Sequence, residues 1–285
     1  MATVPDDTGS LRLNRRGLVS VEGPDTRKFL QGLLTADVGR LDRQRALAAA
    51  LLTPQGKVLV EMIVTGTADG VLIDCPLSET GNLVKRLTLY KLRAKIEILD
   101  RTSTLAVVWT PPGAGAVASA DPRHPGLGFR SIVDAADAHG SGDAAYDAHR
   151  IALGVAEQDA DFGPSEVFPH EASYDQLGSV DFDKGCYVGQ EVVSRMQHRG
   201  TARSRFVPVS ASAELPPKGT PVTAAGREIG QMGSHQGNCG LVLMRLDRLA
   251  DAVAAGTTPE AAGVALRAHR PGWAHFDIAG AETSP

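Results

Sequence analysis

Apolar and polar positions alternate along Gly17-Leu-Val-Ser-Val-Glu-Gly23, a two-residue period that predicts a strand. Pro24 suits a first helical position, and Phe29, Leu30, Leu33 and Leu34 follow at helical spacing, so the strand is expected to run into an amphipathic helix. Residues 46–52 and 57–65 are apolar runs separated by Thr53-Pro54-Gln55-Gly56, whose proline and glycine fit a type I turn and hence a β-hairpin. A strand over 71–75 comes next. Ser78 is then placed as a helix N-cap, with Leu83, Val84, Leu87 and Tyr90 on one helical face and a further strand around Ile96 and Ile98.

Hairpins mixed with helices, without strict strand–helix–strand alternation, predict an α+β core. Pro111-Pro112-Gly113-Ala114-Gly115 reads as a surface connection. After Ala202 the pattern changes to short apolar segments at 206–209, 221–224 and 241–246, punctuated by glycines, which predicts a small β-barrel. The expected division is therefore an α+β region over 1–201 and a C-terminal barrel over 202–285.

At 285 residues and 42% apolar content, the chain can bury more than one core. A net charge of -4 supplies no field for nucleic acid or an anionic membrane, so neither is expected as a direct partner. The N-terminus, with Asp6 and Asp7, shows no secretory signal, and no run is long and apolar enough to span a bilayer. A cytoplasmic location is expected. Three scattered cysteines, Cys75, Cys186 and Cys239, make neither a disulfide framework nor a zinc site built from CxxC pairs.

Several familiar motifs fail on chemistry. His170-Glu171 opens like a zinc-binding HExxH helix, but Tyr174 stands where the second histidine is needed. Gly113-Ala-Gly115 lacks the residues of a phosphate loop, and no GxSxG element occurs.

The segment Lys184-Gly185-Cys186-Tyr187-Val188-Gly189-Gln190-Glu191 differs in kind. Lys184 stands two residues before Cys186 and would favour the thiolate, while the glycines permit close backbone approach. A helix opening at Gly189-Gln190 and running through Val192, Val193 and Met196 would add its positive end. An accessible thiolate can ligate iron or exchange with a disulfide, but one cysteine cannot complete a four-thiolate cluster site. A shared or transient iron–sulfur ligand follows, the alternative being a cysteine that only packs a tight turn. Cys75 reads as core, and Cys239 has no assigned role. Arg195, Arg199, Arg203 and Arg205 form a basic stretch that is either a solvated face or a partner for carboxylates.

KGCYVGQE, together with SRMQHRG after it, resembles the signature of the YgfZ proteins, folate-binding relatives of the glycine-cleavage aminomethyltransferase. The likeness extends to LVSVEGPDTRKFLQGLLT at 18–35, to the region around PQGK, and to His149-Arg150-Ile-Ala-Leu-Gly154. The resemblance implies a three-lobed aminomethyltransferase-like fold with a C-terminal β-barrel and a channel for tetrahydrofolate. It implies an accessory role in assembling or repairing iron–sulfur clusters, with clients that include tRNA-modifying enzymes and an A-type cluster carrier as partner. Carried over by position, Cys186 and Lys184 are the chemical residues and Gly185, Tyr187, Gly189, Gln190 and Glu191 complete the motif. Tyr146, Arg195 and Arg199 are the candidates for folate. Two departures count against transferase chemistry and pterin binding: Val60-Glu61 stands where the enzymes carry an acidic pair, and Ala152 where they carry a glutamate. A tetrahydrofolate-dependent aminomethyltransferase is the alternative reading.

Overall fold

The computed structural model describes residues 9–114, 119–200 and 202–283; Asp6, Asp7 and Gly115, used above, lie outside them. The chain forms two compact units, one from Met1–Tyr146 with Leu177–Val192, the other from Asp147–Gln176 with Val193–Pro285.

The first unit begins with β1 (Leu11–Arg12), β2 (Arg16–Glu22), α1 (Thr26–Gln31), β3 (Ala46–Leu52), β4 (Val58–Gly66) and β5 (Gly70–Pro76). It continues through α2 (Thr80–Lys91), β6 (Glu97–Asp100), β7 (Leu105–Thr110), β8 (Ser119–Ala120) and β9 (Phe129–Asp134). Among the described residues one sheet runs β3-β4-β5-β2-β6 and a second β1-β7-β9-β8, with neighbours antiparallel throughout. Strands β2 to β5 are buried on both faces along most of their length, which explains their nearly continuous apolar runs. Leu30 of α1 and Leu83 and Leu87 of α2 join Val19, Val60 and Ile73 in one core cluster.

The hairpin turn closes as the sequence suggests: the Gly56 amide donates to Thr53 O at 2.8 Å, and Gly56 adopts φ +81, a conformation that favours glycine. Two local expectations are corrected. Glu79, not Ser78, takes the N-cap position of α2, because Leu77–Glu79 is already wound into a 3-10 turn after Pro76. Tyr90 is exposed, because the helix face turned to the core is made by Thr80, Leu83 and Leu87, with Val84 packed beside them.

Helix α3 (Asp143–Ala152) ends the first long stretch of the chain, and α4 (Gln190–Arg199) follows the cysteine segment. The second unit then adds β10 (Ser204–Ser210), β11 (Pro221–Ala224), β12 (Arg227–Gln236), β13 (Cys239–Arg245) and α5 (Leu246–Ala254). The short strands β14 (Glu260–Ala261), β15 (Val264–Ala265), β16 (Arg267–Arg270) and β17 (Glu282–Thr283) complete it. Their sheet runs β15-β14-β11-β12-β13-β10-β16-β17 over a core that includes Val207, Val222, Val242, Met244 and Leu249. The Trp273 indole donates to Leu153 O at 2.8 Å and Arg205 binds Asp175 through both nitrogens, tying 147–176 to this sheet. The mixture of helices with largely antiparallel sheets, β16–β17 being a parallel pair, is the α+β class expected from the hairpin pattern.

Candidate functional site

The cysteine segment is held to the first unit by a chain of hydrogen bonds that starts five residues before Lys184. Thr35 Oγ1 donates to Ser179 O at 2.6 Å and accepts from the Ala50 amide at 2.8 Å, so one hydroxyl joins the loop to β3. The Asp181 amide donates to Thr35 O at 2.9 Å. One Asp181 carboxylate oxygen accepts from the amides of Asp183 and Lys184, which turns the chain locally, and the other meets Arg40 at 2.5 Å.

Lys184 is the central anchor. Its buried ammonium donates to Gln31 O at 2.8 Å, Leu34 O at 2.5 Å and Ala36 O at 3.0 Å, three carbonyls at the end of α1 and in the segment after it. Burial draws its pKa down to about 8, opposed by Asp37 and Asp181. The same ammonium lies 5.1 Å from the centre of the buried Tyr187 ring, whose hydroxyl burial and then Asp181 push up to about 12. The expectation that Lys184 activates the thiol is therefore corrected: its donors are committed to carbonyls, and it positions the loop.

Between these two buried anchors, Gly185 and Cys186 are both exposed. The next anchor is Gly189, with φ +82; a Cβ there would stand 2.6 Å from Thr53 O and 3.1 Å from the Gly56 Cα. Val188 packs on the core beside it, and α4 opens at Gln190, whose amide donates to Tyr187 O at 3.3 Å. Gly185 has no such constraint, since a Cβ there meets nothing within 4 Å. Glu191 is exposed on the first turn of α4 and Gln190 is half-buried. The result is a two-residue display of a thiol on a rigid base. Among the described residues no three His, Cys, Asp or Glu side chains come together as a metal site, so Cys186 offers a single ligand.

Elsewhere in this unit lies a feature that the sequence reading missed. Arg16, Arg123 and Arg130 are buried with Glu61, Asp74 and Asp121, three cations against three anions. Arg16 reaches Asp74 at 2.6 Å and Glu61 at 3.1 Å; Arg130 reaches Asp74 at 2.7 Å and Asp121 at 3.0 Å; Arg123 reaches Asp121 at 2.8 Å. Burial alone would raise Asp121, yet Arg123 and Arg130 hold it at about 2. The available signal was a lone charge within an apolar strand, Asp74 in β5 being the clearest.

This network also absorbs the tyrosine assigned to folate. Tyr146 is 1% exposed, its hydroxyl accepts from Arg123 at 2.5 Å and Arg130 at 2.6 Å, and its ring meets Trp109 edge-on at 5.5 Å. It has no face left to stack on a pterin, so the folate assignment for Tyr146 is corrected. Arg195 and Arg199 lie exposed on α4, and Ala152 is exposed at the end of α3 with no acceptor to offer. Tyr146 and Ala152 do not fit a pterin site. Of the remaining arginines, Arg203 is exposed and Arg205 is buried, bound to Asp175 and to His170 O and stacked 4.3 Å over Phe276. Cys75 is fully buried, and burial drives its thiol to about 12, as befits a core residue. Cys239 is exposed at the start of β13.

Residues 203–276 match the family model described as the CAF17 C-terminal beta-barrel domain. Across the chain, the mitochondrial iron–sulfur cluster assembly factor IBA57 of Homo sapiens is 33% identical over 300 residues, covering 92% of this chain and 84% of its own. The IBA57 homolog of Mycosarcoma maydis, also mitochondrial, is 34% identical over 275 residues, covering 87% and 67%. In fold, the chain superposes on the glycine cleavage system aminomethyltransferase T of Bartonella henselae with a TM-score of 0.72 at 15% identity, over 95% of this chain and 87% of that one. An aminomethyltransferase-like fold with a C-terminal β-barrel is thereby established. The cytoplasmic location expected from the sequence is corrected by these relatives, which are mitochondrial proteins.

Proposed function

Since this chain belongs to the IBA57 family of iron–sulfur cluster assembly factors, we propose that it serves cluster assembly or repair as a binding protein, with Cys186 as its chemical group. The observation that carries this reading is the exposed thiol fixed between two buried anchors, Lys184 and Tyr187. On losing its proton, Cys186 Sγ supplies one thiolate to an iron–sulfur cluster that is cargo, and a partner of the A-type carrier class supplies the other ligands. The YgfZ-type segment belongs to this reading, as do client proteins that include tRNA-modifying enzymes.

Two observations weigh against the aminomethyltransferase alternative. The carboxylate nearest the enzymes' acidic pair, Glu61, is buried against Arg16 at 3.1 Å, and Val60 carries no acid at all. Tetrahydrofolate enters no step here, because Tyr146 and Ala152 give it nothing to bind.

Anaerobic cluster reconstitution of the wild type and Cys186→Ser, each alone and with an A-type carrier, tests the proposal by visible absorption and circular dichroism. A cluster signal that needs Cys186, or that changes with the carrier only when Cys186 is present, is the expected result. Identical spectra for cysteine and serine would remove the ligand role, and titration with tetrahydrofolate then becomes the test of a folate-dependent one.

A further inference from the structure

Residues 80–96 contain five cations, Lys85, Arg86, Lys91, Arg93 and Lys95, and no acidic residue, in a chain whose net charge is -4. Among the described residues no side chain of the five forms an ion pair or a hydrogen bond, although the Lys95 backbone amide donates to the Asp25 carboxylate at 2.8 Å, whereas the arginines of the first unit's interior are all committed. Large apolar side chains stand among them: Leu89 is 67% exposed and Leu92 is 89% exposed. Leu92 ends α2 with φ +44, a backbone conformation that side chains beyond glycine rarely adopt, so this leucine is held outward on a strained turn. Exposed leucines interspersed along the chain with cationic side chains that have no ion-pair partner form a surface suited to an acidic, partly apolar counterpart.

We propose that the outer face of α2 and the Leu92 turn dock an acidic segment of a partner protein, its carboxylates meeting the cations and its apolar side chains covering Leu89 and Leu92. The occupant is a protein segment of limited width rather than an anionic bilayer, because the adjoining strand β6 exposes Glu97 and Asp100 and would repel a broad negative surface. The position within the sheet sets its use. Strand β6, which α2 packs on, is at one edge of the order β3-β4-β5-β2-β6, while the Cys186 loop seats Gly189 on the β3–β4 turn at the other. A partner held at α2 leaves the thiol open, so this docking does not depend on the role of Cys186.

The probes are a fluorescent peptide in which glutamates alternate with leucines, its lysine-for-glutamate twin, and vesicles of phosphatidylcholine with phosphatidylglycerol. Each is titrated against the full chain, with hydrogen exchange mapping the site. Binding of the acidic peptide, weakened by salt and protecting 80–99, is expected. Affinity should fall at least about tenfold in Lys85→Glu/Arg86→Glu/Arg93→Glu and in Leu89→Ser/Leu92→Ser, both of which change only exposed residues, and remain intact in Cys186→Ser. Failure of the acidic peptide to bind, equal binding by the lysine twin, undiminished binding by the variants, or binding by vesicles alone would each overturn the proposal.

Discussion

Gly56 and Gly189 lie backbone against backbone: a Cβ on Gly189 would come within 3.1 Å of the Gly56 Cα, and one on Gly56 within 3.1 Å of the Gly189 carbonyl oxygen. Both adopt positive φ, so the hairpin turn and the exit of the cysteine loop each require a residue without a side chain. Gly189→Ala is expected to cost about 2 kcal/mol or more, from left-handed strain plus the contact with Thr53 O. Gly185→Ala, with open space at its Cβ, should stay within about 0.5 kcal/mol. Denaturant melts of the two variants check the contrast, and equal losses would contradict the packing described.

Lys184→Met keeps an unbranched side chain one atom shorter and deletes the three donors of the ammonium. The carbonyls of Gln31, Leu34 and Ala36 then lose a charged partner in a buried place, at an expected cost of about 2 to 4 kcal/mol. Hydrogen exchange should rise in both 31–36 and 179–189 if the lysine ties them together. A loss of stability without coupled exchange in the two segments would argue for a more local role.

Asp121 makes part of the stability depend on acid. Its pKa is held at about 2 in the fold against an ordinary 3.8, so its contribution is complete above the unfolded value and disappears as pH falls through the folded one. Stability should therefore drop between about pH 4 and pH 2, and Asp121→Asn should flatten that slope. At neutral pH the same variant leaves Arg123 and Arg130 with less countercharge in the interior, an expected loss of about 3 to 5 kcal/mol. An unchanged acid slope in Asp121→Asn would place the acid sensitivity elsewhere.

The hairpin, the helix after the cysteine and the barrel strands were legible because each rests on short-range patterns: alternation, a turn of Pro and Gly, and apolar spacing. The exposed Cys186 was legible too, from neighbours that are not those of a core cysteine. What the sequence concealed was partnership at long range. Nothing near Lys184 announces carbonyls some 150 positions earlier in the chain, and the local rule that a lysine beside a cysteine favours the thiolate pointed the wrong way. Tyr146 misled for the same reason, since its partners Arg123 and Arg130 belong to other elements.

The three thiols should separate cleanly under alkylation. Cys186 and Cys239 are exposed and Cys75 is buried at 0% exposure with its thiol driven to about 12, so native maleimide treatment should label two sites and the third only after unfolding. Peptide mass spectrometry reads the sites directly. Early labelling at Cys75 would mean that β5 opens in the native state.

The anchoring of residues 179–189 has a kinetic corollary. Because Lys184, Tyr187 and Gly189 fix the loop when the domain folds, the conformational search that a floppy ligand arm would undergo at each encounter has already been completed. Under the proposed ligand role, an incoming cluster would meet a thiol whose backbone position is already set, so loop ordering would add little to the cost of each encounter.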